Sequence, residues 1–181
     1  MVIGIVTAAV VVLFVAVVAT RPADFRVTRS TTISAPPLVV FAQVNDFHNW
    51  SGWSPWARLD PGMKTTYEGP AAGTGAVYTW VGNSKVGEGR MTITESRPGS
   101  LVQIKLEFLK PFAATNTAEF TFQPQENLTA VTWNMTGKKN FVTKVIGLVM
   151  NMDKMLGGQF EQGLAQMKSV AELAAGAAAG K

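Results

Sequence analysis

The sequence predicts an α+β domain in which a mainly antiparallel sheet is covered by a long C-terminal helix. Three observations lead to this fold class. Residues 63–137 consist of short alternating segments separated by turns, residues 141–175 have helical periodicity, and residues 34–56 hold short helices after a first strand. The connections between the later strands are too short for parallel crossovers, so neighbouring strands are expected to run antiparallel.

The chain begins with twenty uncharged residues, MVIGIVTAAVVVLFVAVVAT. As a helix rising about 1.5 Å per residue they would extend roughly 30 Å, the thickness of the hydrocarbon core of a bilayer. We therefore predict a transmembrane anchor over residues 1–20, with a secretory or uncleaved signal-like segment as the alternative. Residues 21–29 form a basic juxtamembrane linker, which favours a single-pass membrane protein with its C-terminal domain in the cytoplasm.

The folded domain is expected over residues 25–175, and its first strand runs from Phe25 to Ile33. Two short helices follow. Prolines suit the first turn of the first helix, and Asp46 can cap the second, which Gly52 and Pro55 end. Six further strands are expected at residues 63–68, 75–82, 85–97, 101–110, 113–123 and 128–137.

The last predicted element is a helix from Phe141 to about Ala175, with breaks expected at Gly147 and at Gly157–Gly158. Apolar residues such as Phe160 and Leu164 recur in it at spacings of three and four, which gives the helix one apolar face. Residues 176–181, rich in alanine and glycine, are expected to form a flexible tail.

Alternation along the strands assigns one face of the sheet to the interior. In residues 113–123, Asn116 and Phe120 share a face opposite Thr117 and Glu119. The inner set is large, aromatic and rich in methionine, which suits either a packed core, favoured by the pattern alone, or a cavity for an apolar ligand. The residues expected to line such a cavity are Trp53, Trp56, Tyr78, Trp80, Met91, Ile93, Phe108, Asn116, Phe120, Trp133, Met135, Met152, Phe160 and Leu164.

The residue composition argues against several kinds of chemistry. The chain has no cysteine and a single histidine, His48, which excludes thiol catalysis and a histidine-rich metal site. Asp46 and His48 lie two residues apart in an expected helical turn and so are not expected to face each other. No catalytic residue, metal or cofactor is predicted. The net charge of +4 is scattered along the chain and gives little support for nucleic-acid binding.

The segment NDFHNWSGWSPW, residues 45–56, contains three tryptophans. Burying their rings is worth on the order of 10 kcal/mol before opposing terms, so they are not expected to remain in water. We expect these rings to close one end of the domain, with indole N–H groups donating to backbone carbonyls.

The stretch VTRSTTISAPPLVVFAQVNDFHNWSGWSPW resembles the beginning of START-like (SRPBCC) proteins of the polyketide cyclase/dehydrase-like branch. The matching positions are Ile33, Ala35, Pro36, Val44, Asp46, Phe47, Trp50, Trp53, Pro55 and Trp56. Residues 87–112, 118–135 and 157–168 are similar to the central strands and the last helix of that family. The resemblance implies a helix-grip fold, in which about seven antiparallel strands curl around a long C-terminal helix and usually enclose an elongated hydrophobic cavity.

The function that the resemblance implies is binding of a hydrophobic small molecule or lipid, such as a quinone, an isoprenoid or a polyketide-like compound. The predicted anchor would hold such a binder at the membrane where its ligand partitions. The alternative is a cyclase or dehydratase that uses neither metal nor thiol, with Asn116 or Tyr78 positioning an enol. A third hypothesis is an interaction module with a filled core, because a fold does not by itself imply a function.

Overall fold

The computed structural model describes residues 2–149 and 151–179. These residues form five α-helices, one 3₁₀ helix and seven strands. The helices are α1 (Val2–Ala19), α2 (Pro37–Asn45), α3 (Pro55–Leu59), α4 (Phe141–Val149) and α5 (Met152–Ala179), and the 3₁₀ helix is Phe47–Gly52. The strands are β1 (Asp24–Ile33), β2 (Lys64–Glu68), β3 (Val77–Val81), β4 (Glu88–Arg97), β5 (Leu101–Lys110), β6 (Ala114–Gln125) and β7 (Leu128–Lys138).

The seven strands form one sheet in the order β1-β7-β6-β5-β4-β3-β2, and every neighbouring pair is antiparallel. Strands β2 to β7 therefore make a continuous meander, and β1 pairs with the last strand at its edge. The predicted α+β fold class and the predicted strands are confirmed. With α5 packed on the inner face of the sheet, the domain has the helix-grip fold that the resemblance implies.

Polar contacts determine how α5 lies along β1. Arg29 on β1 forms ion pairs with Asp153 at 3.0 Å and with Glu161 at 2.7 Å. Further along, the backbone N–H of Ser34 donates to Glu172 at 2.8 Å. Because residue numbers rise together in both elements, β1 and α5 run in the same direction. The beginning of β1 therefore lies beside the beginning of α5.

The interruption of the C-terminal helix differs from the prediction. The break lies between α4 and α5, whereas Gly147, Gly157 and Gly158 lie within helices. At the break, the side chain of Asn151 accepts a hydrogen bond from the backbone N–H of Lys154 at 3.1 Å, which caps the start of α5. The new helix therefore starts where a capping side chain is available. It continues to Ala179, beyond the expected end near residue 175.

Gly157 has a packing role instead of a helix-breaking one. A side chain at this position would collide with the guanidinium of Arg29, which lies across α5 between its two carboxylate partners. The absence of a side chain at Gly157 therefore allows β1 and α5 to approach closely.

The first helix does not support the predicted transmembrane anchor over residues 1–20. Helix α1, Val2–Ala19, contains 18 residues. In the part of the chain that the structure describes, none of the helices is long and apolar enough to cross a membrane.

Candidate functional site

The inner face of the sheet brings together most of the residues that the sequence assigned to a ligand cavity. Those buried in one continuous cluster are Trp53, Tyr78, Trp80, Met91, Ile93, Phe120, Trp133, Met135, Phe160 and Leu164. Trp56 and Phe108 are partly buried and pack against this cluster, and Asn116 is a buried polar residue of the same strand face. The side chain of Met152 lies outside the described residues.

Stacked aromatic rings fill the middle of this interior, beneath α5. The ring of Trp133 lies parallel to that of Phe160, with centroids 4.0 Å apart and an interplanar angle of 4°. It also stacks on Phe120 at 4.7 Å. Trp53 and Trp56 meet Trp133 edge-on at 5.7 and 5.8 Å. This part of the interior is packed ring against ring.

Two indole N–H groups of the tryptophan-rich segment donate hydrogen bonds to backbone carbonyls close by in the chain. Trp50 Nε1 donates to the carbonyl of Val44 at 3.0 Å, and Trp53 Nε1 donates to the carbonyl of Gln43 at 2.9 Å. Both acceptors lie in the last turn of α2, where helix carbonyls lack a partner within the helix. The prediction that these indole groups reach backbone carbonyls is confirmed for Trp50 and Trp53.

Near the beginning of β6, Asn116 is held in apolar surroundings. Its partners across the sheet are Leu106 on β5 and Gly137 on β7. A side chain at Gly137 would collide with the carboxamide oxygen of Asn116 and approach the ring of Phe25 to 2.7 Å. The glycine therefore provides the space that the carboxamide occupies. Within the described residues, this buried oxygen has no hydrogen-bond partner.

The Asn116 end of the interior is less completely covered than the aromatic middle. Phe25, which neighbours Asn116 across Gly137, and Phe108, the next inward residue after Leu106 on β5, are only partly buried. Because β1 and α5 run in the same direction, Phe25 lies near the start of α5. At this end, therefore, the rings of Phe25 and Phe108 are in partial contact with solvent, while Asn116 behind them is buried.

A row of inward side chains leads from Asn116 across the sheet. The pairing places Asn116 beside Leu106, Leu106 beside Met91, and Met91 beside Tyr78. At about 4.8 Å between neighbouring strands, three strand steps separate the two polar ends of this row by about 14 Å along the sheet. The row is therefore apolar in its middle and polar at both ends.

Burial makes the anionic form of the Tyr78 phenol unfavourable. It raises the pKa of Tyr78 from 10.0 to about 12, and the nearby phenol of Tyr67 adds to the rise. At neutral pH Tyr78 is therefore a hydrogen-bond donor. Above pH 10 the unfolded chain would lose this proton while the folded chain keeps it, so stability is expected to fall between about pH 10 and pH 12.

We expect an absorbance titration at the tyrosinate band to detect this shift. The chain has two tyrosines, so the wild-type titration minus that of Tyr78→Phe isolates one phenol. The difference curve should have its midpoint near pH 12, because the raised pKa of Tyr78 comes from burial. A midpoint near the ordinary tyrosine value of about 10 would contradict the buried position of the hydroxyl.

Asp46 and His48 contact each other, contrary to the prediction. The carboxylate of Asp46 accepts a hydrogen bond from the backbone N–H of His48 at 2.9 Å and lies 2.7 Å from His48 Nδ1. Asp46 is the residue before the 3₁₀ helix and has an extended backbone (φ −116°, ψ 115°), so its side chain can turn back over the helix start. The imidazole is half exposed and stacks on Tyr67, with ring centroids 4.0 Å apart. The pair is a surface helix cap.

The fold is shared with several solved structures. Protein CV1439 from Chromobacterium violaceum is 16% identical with a TM-score of 0.59, and the alignment covers 84% of this chain and 99% of that one. The Aha1 dimer from Colwellia psychrerythraea is 14% identical with a TM-score of 0.58, over 82% of this chain and 96% of that one. At these identities the likeness shows the fold alone.

A third similar structure is the di-domain ARO/CYC StfQ from the steffimycin biosynthetic pathway. It is 12% identical with a TM-score of 0.61, over 85% of this chain and 52% of that one, so this chain matches about half of the di-domain protein. No curated protein matches this chain. The sequence profile described as "Polyketide cyclase / dehydrase and lipid transport" matches residues 24–172, which include all seven strands and most of α5. The chain therefore belongs to this family.

Proposed function

We propose that this protein binds a hydrophobic small molecule or lipid between the inner face of the sheet and the start of α5, without catalysing a reaction. The observation that carries the proposal is the carboxamide of Asn116. It is only 7% exposed, and its oxygen has no hydrogen-bond partner in the described part of the chain. The family description, which includes lipid transport, supports the same class of ligand.

A buried polar atom without a partner destabilises the protein by about 1–3 kcal/mol. Such a cost is expected to persist where a bound molecule supplies the missing hydrogen bond. Gly137 strengthens this interpretation, because the missing side chain makes room for the carboxamide next to Phe25. A hydroxyl or N–H group of a ligand that enters beside Phe25 would donate to Asn116.

The neighbours of Asn116 indicate the shape of the ligand. Leu106 and Met91 provide apolar contact, and the thioether of methionine adapts to ligands of different outline. The phenol of Tyr78 lies at the far end of the row, about 14 Å from Asn116 at the usual strand spacing. The favoured ligand is therefore elongated and apolar with a polar group at one or both ends, as in quinones, isoprenoids and polyketide-like compounds.

Asn116→Leu distinguishes a ligand contact from a structural role. Leucine has the same branched outline with somewhat larger end groups, and it removes the buried polar group, so the free energy of unfolding of the free protein should stay within about 1 kcal/mol of the wild type. Binding of N-phenyl-1-naphthylamine, an apolar fluorophore with one N–H donor, should weaken about ten-fold, since a lost hydrogen bond is worth roughly 1 kcal/mol or more. Fluorescence titration and urea unfolding measure the two effects.

Thr117→Val is the matched control, because Thr117 is exposed on the outer face of the same strand. It should leave probe affinity unchanged. Native mass spectrometry of the wild-type protein, free of detergent, should also show a co-purified apolar molecule. The proposal would be contradicted if the wild type takes up neither probe nor lipid, or if Asn116→Leu lowers stability while probe affinity is retained.

A cyclase or dehydratase is the second candidate function, and the buried, inward position of the Tyr78 phenol favours it. A phenol on the inner face of the sheet can donate a hydrogen bond to a developing enolate oxygen in surroundings that exclude water. In that case Tyr78→Phe should abolish the cyclisation of a linear polyketide while probe binding survives. If neither the wild type nor the variant converts the substrate, the enzyme hypothesis fails and the binding proposal is unaffected.

A further inference from the structure

A basic pocket lies where the segment after α1 meets α4. It has a volume of about 220 Å³ and is lined by Arg21, Pro22, Lys139, Lys144, Gly147 and Leu148. Three of these six residues are cationic, and there is no acidic side chain among the described residues that line the pocket. Lys144 also donates to the carbonyl of Ala19 at 3.2 Å, which holds the end of α1 against α4.

Exposed apolar surface adjoins this pocket on both helices. Every side chain of α1 from Ala9 to Val17 is exposed, and Val18 is the buried residue that follows. On α4, Phe141, Val142 and Leu148 are exposed as well. An extended apolar surface of this kind is unusual on a protein that remains in water, and it marks a site of interaction.

We infer that α1, α4 and the basic pocket together form a docking surface for a bilayer that contains anionic phospholipid. The apolar side chains would enter the acyl boundary, and the pocket would hold a headgroup phosphate with Arg21, Lys139 and Lys144. Exposed apolar helix surface with cations beside it is the combination that favours association with anionic membranes.

Charge argues for a lipid surface and against a second copy of the chain. In a two-fold dimer the same patch of both subunits meets, so the two pockets would bring six cationic side chains into one interface. An anionic bilayer instead complements this charge.

The docking surface lies at the end of the sheet that holds Lys138 and Gly137, which is the Asn116 end. The inference goes beyond the proposed function, because vesicle binding does not require an occupied interior.

Vesicle flotation with the full chain tests this inference. Vesicles of phosphatidylcholine with about 30% phosphatidylglycerol should bind at least ten-fold more protein than phosphatidylcholine alone, since each cation near an anionic surface strengthens partitioning about five-fold. Raising the salt from about 0.1 M to about 1 M should remove most of this difference, because the screening length falls from about 10 Å to about 3 Å.

Substitutions measure separately how much the cations of the pocket and the apolar side chains of α1 contribute to vesicle binding. Arg21→Gln with Lys139→Gln should weaken binding to the anionic vesicles about 25-fold, and Leu13→Gln should weaken it about ten-fold by removing an apolar contact. The matched control, Arg97→Gln with Lys105→Gln, removes the same charge from exposed positions on the opposite end and the outer face of the sheet. It should bind like the wild type.

Three results would overturn the inference. The first is an absence of vesicle binding by the wild type, and the second is equal binding to neutral and anionic vesicles at every salt concentration. The third is self-association in sedimentation velocity that Leu13→Gln abolishes, with no binding to vesicles. If a charge variant fails to fold, the lipid and salt dependence of the wild-type chain still decides the outcome.

Discussion

Replacing Trp133 by alanine is expected to lower the free energy of unfolding by about 3–5 kcal/mol. Trp133 is 1% exposed and packs between Phe160 on α5 and Phe120 on β6. Alanine would leave a cavity at the contact between the sheet and the helix, so the cost combines lost burial with lost contacts between rings. Urea denaturation followed by circular dichroism measures it as a lower midpoint with an unchanged slope.

Trp133→Phe is the control for this prediction. It keeps an aromatic ring in the stack, and the indole N–H that it removes has no acceptor among the residues that the structure describes. The loss of stability should therefore be well below that of the alanine variant. An alanine variant within about 1 kcal/mol of the wild type would show that the rings are not closely packed.

Gly89→Ala is expected to destabilise the fold by about 1–3 kcal/mol. A side chain at position 89 on β4 would overlap the ring of Trp80 and come within 2.6 Å of the backbone carbonyl of Glu107. The ring of Trp80 cannot easily move away, since its Nε1 donates to the carbonyl of Val86 at 3.1 Å and it packs edge-on against Phe108. The collision therefore distorts the beginning of β4 and its pairing with β3 and β5, and urea unfolding should detect it.

In contrast to Gly89→Ala, Gly158→Ala is expected to stabilise the protein in the same urea unfolding measurement. Gly158 lies within α5, and a side chain there has nothing within 4 Å. Alanine should raise stability by about 0.4–1 kcal/mol, because it restricts the unfolded chain and favours the helix. Equal effects of the two substitutions would contradict the close approach of Trp80 to β4.

The inner face of the sheet could be predicted because alternation along a strand has a period of two. Asn116 and Phe120 are an even number of residues apart on β6, so both face inward once either does. The same parity assigned Tyr78, Met91 and Trp133 to the interior, where the structure places them. Local pattern was sufficient because side-chain direction in a strand depends on the strand alone.

The break in the C-terminal helix and the Asp46–His48 contact could not be predicted in this way. Glycine is a weak helix breaker, so a capping residue such as Asn151 can place a helix start elsewhere. The prediction that Asp46 caps the second short helix is confirmed, but the expectation that it does not face His48 was wrong, because it placed Asp46 inside the helical turn, whereas the backbone of this capping residue is extended. Both outcomes depend on individual hydrogen bonds at helix ends.

By itself, the sequence determined the succession of strands and helices along the chain, the residues that face inward and the apolar character of α1, since each follows from spacing or composition. Only the tertiary structure decided that Gly137 makes room for the carboxamide of Asn116, and that Gly157 makes room for Arg29. It also brought Arg21 beside Lys139 and Lys144. These contacts join residues more than twenty, and up to about 130, positions apart, and their distances are set by how strands and helices pack rather than by any local pattern.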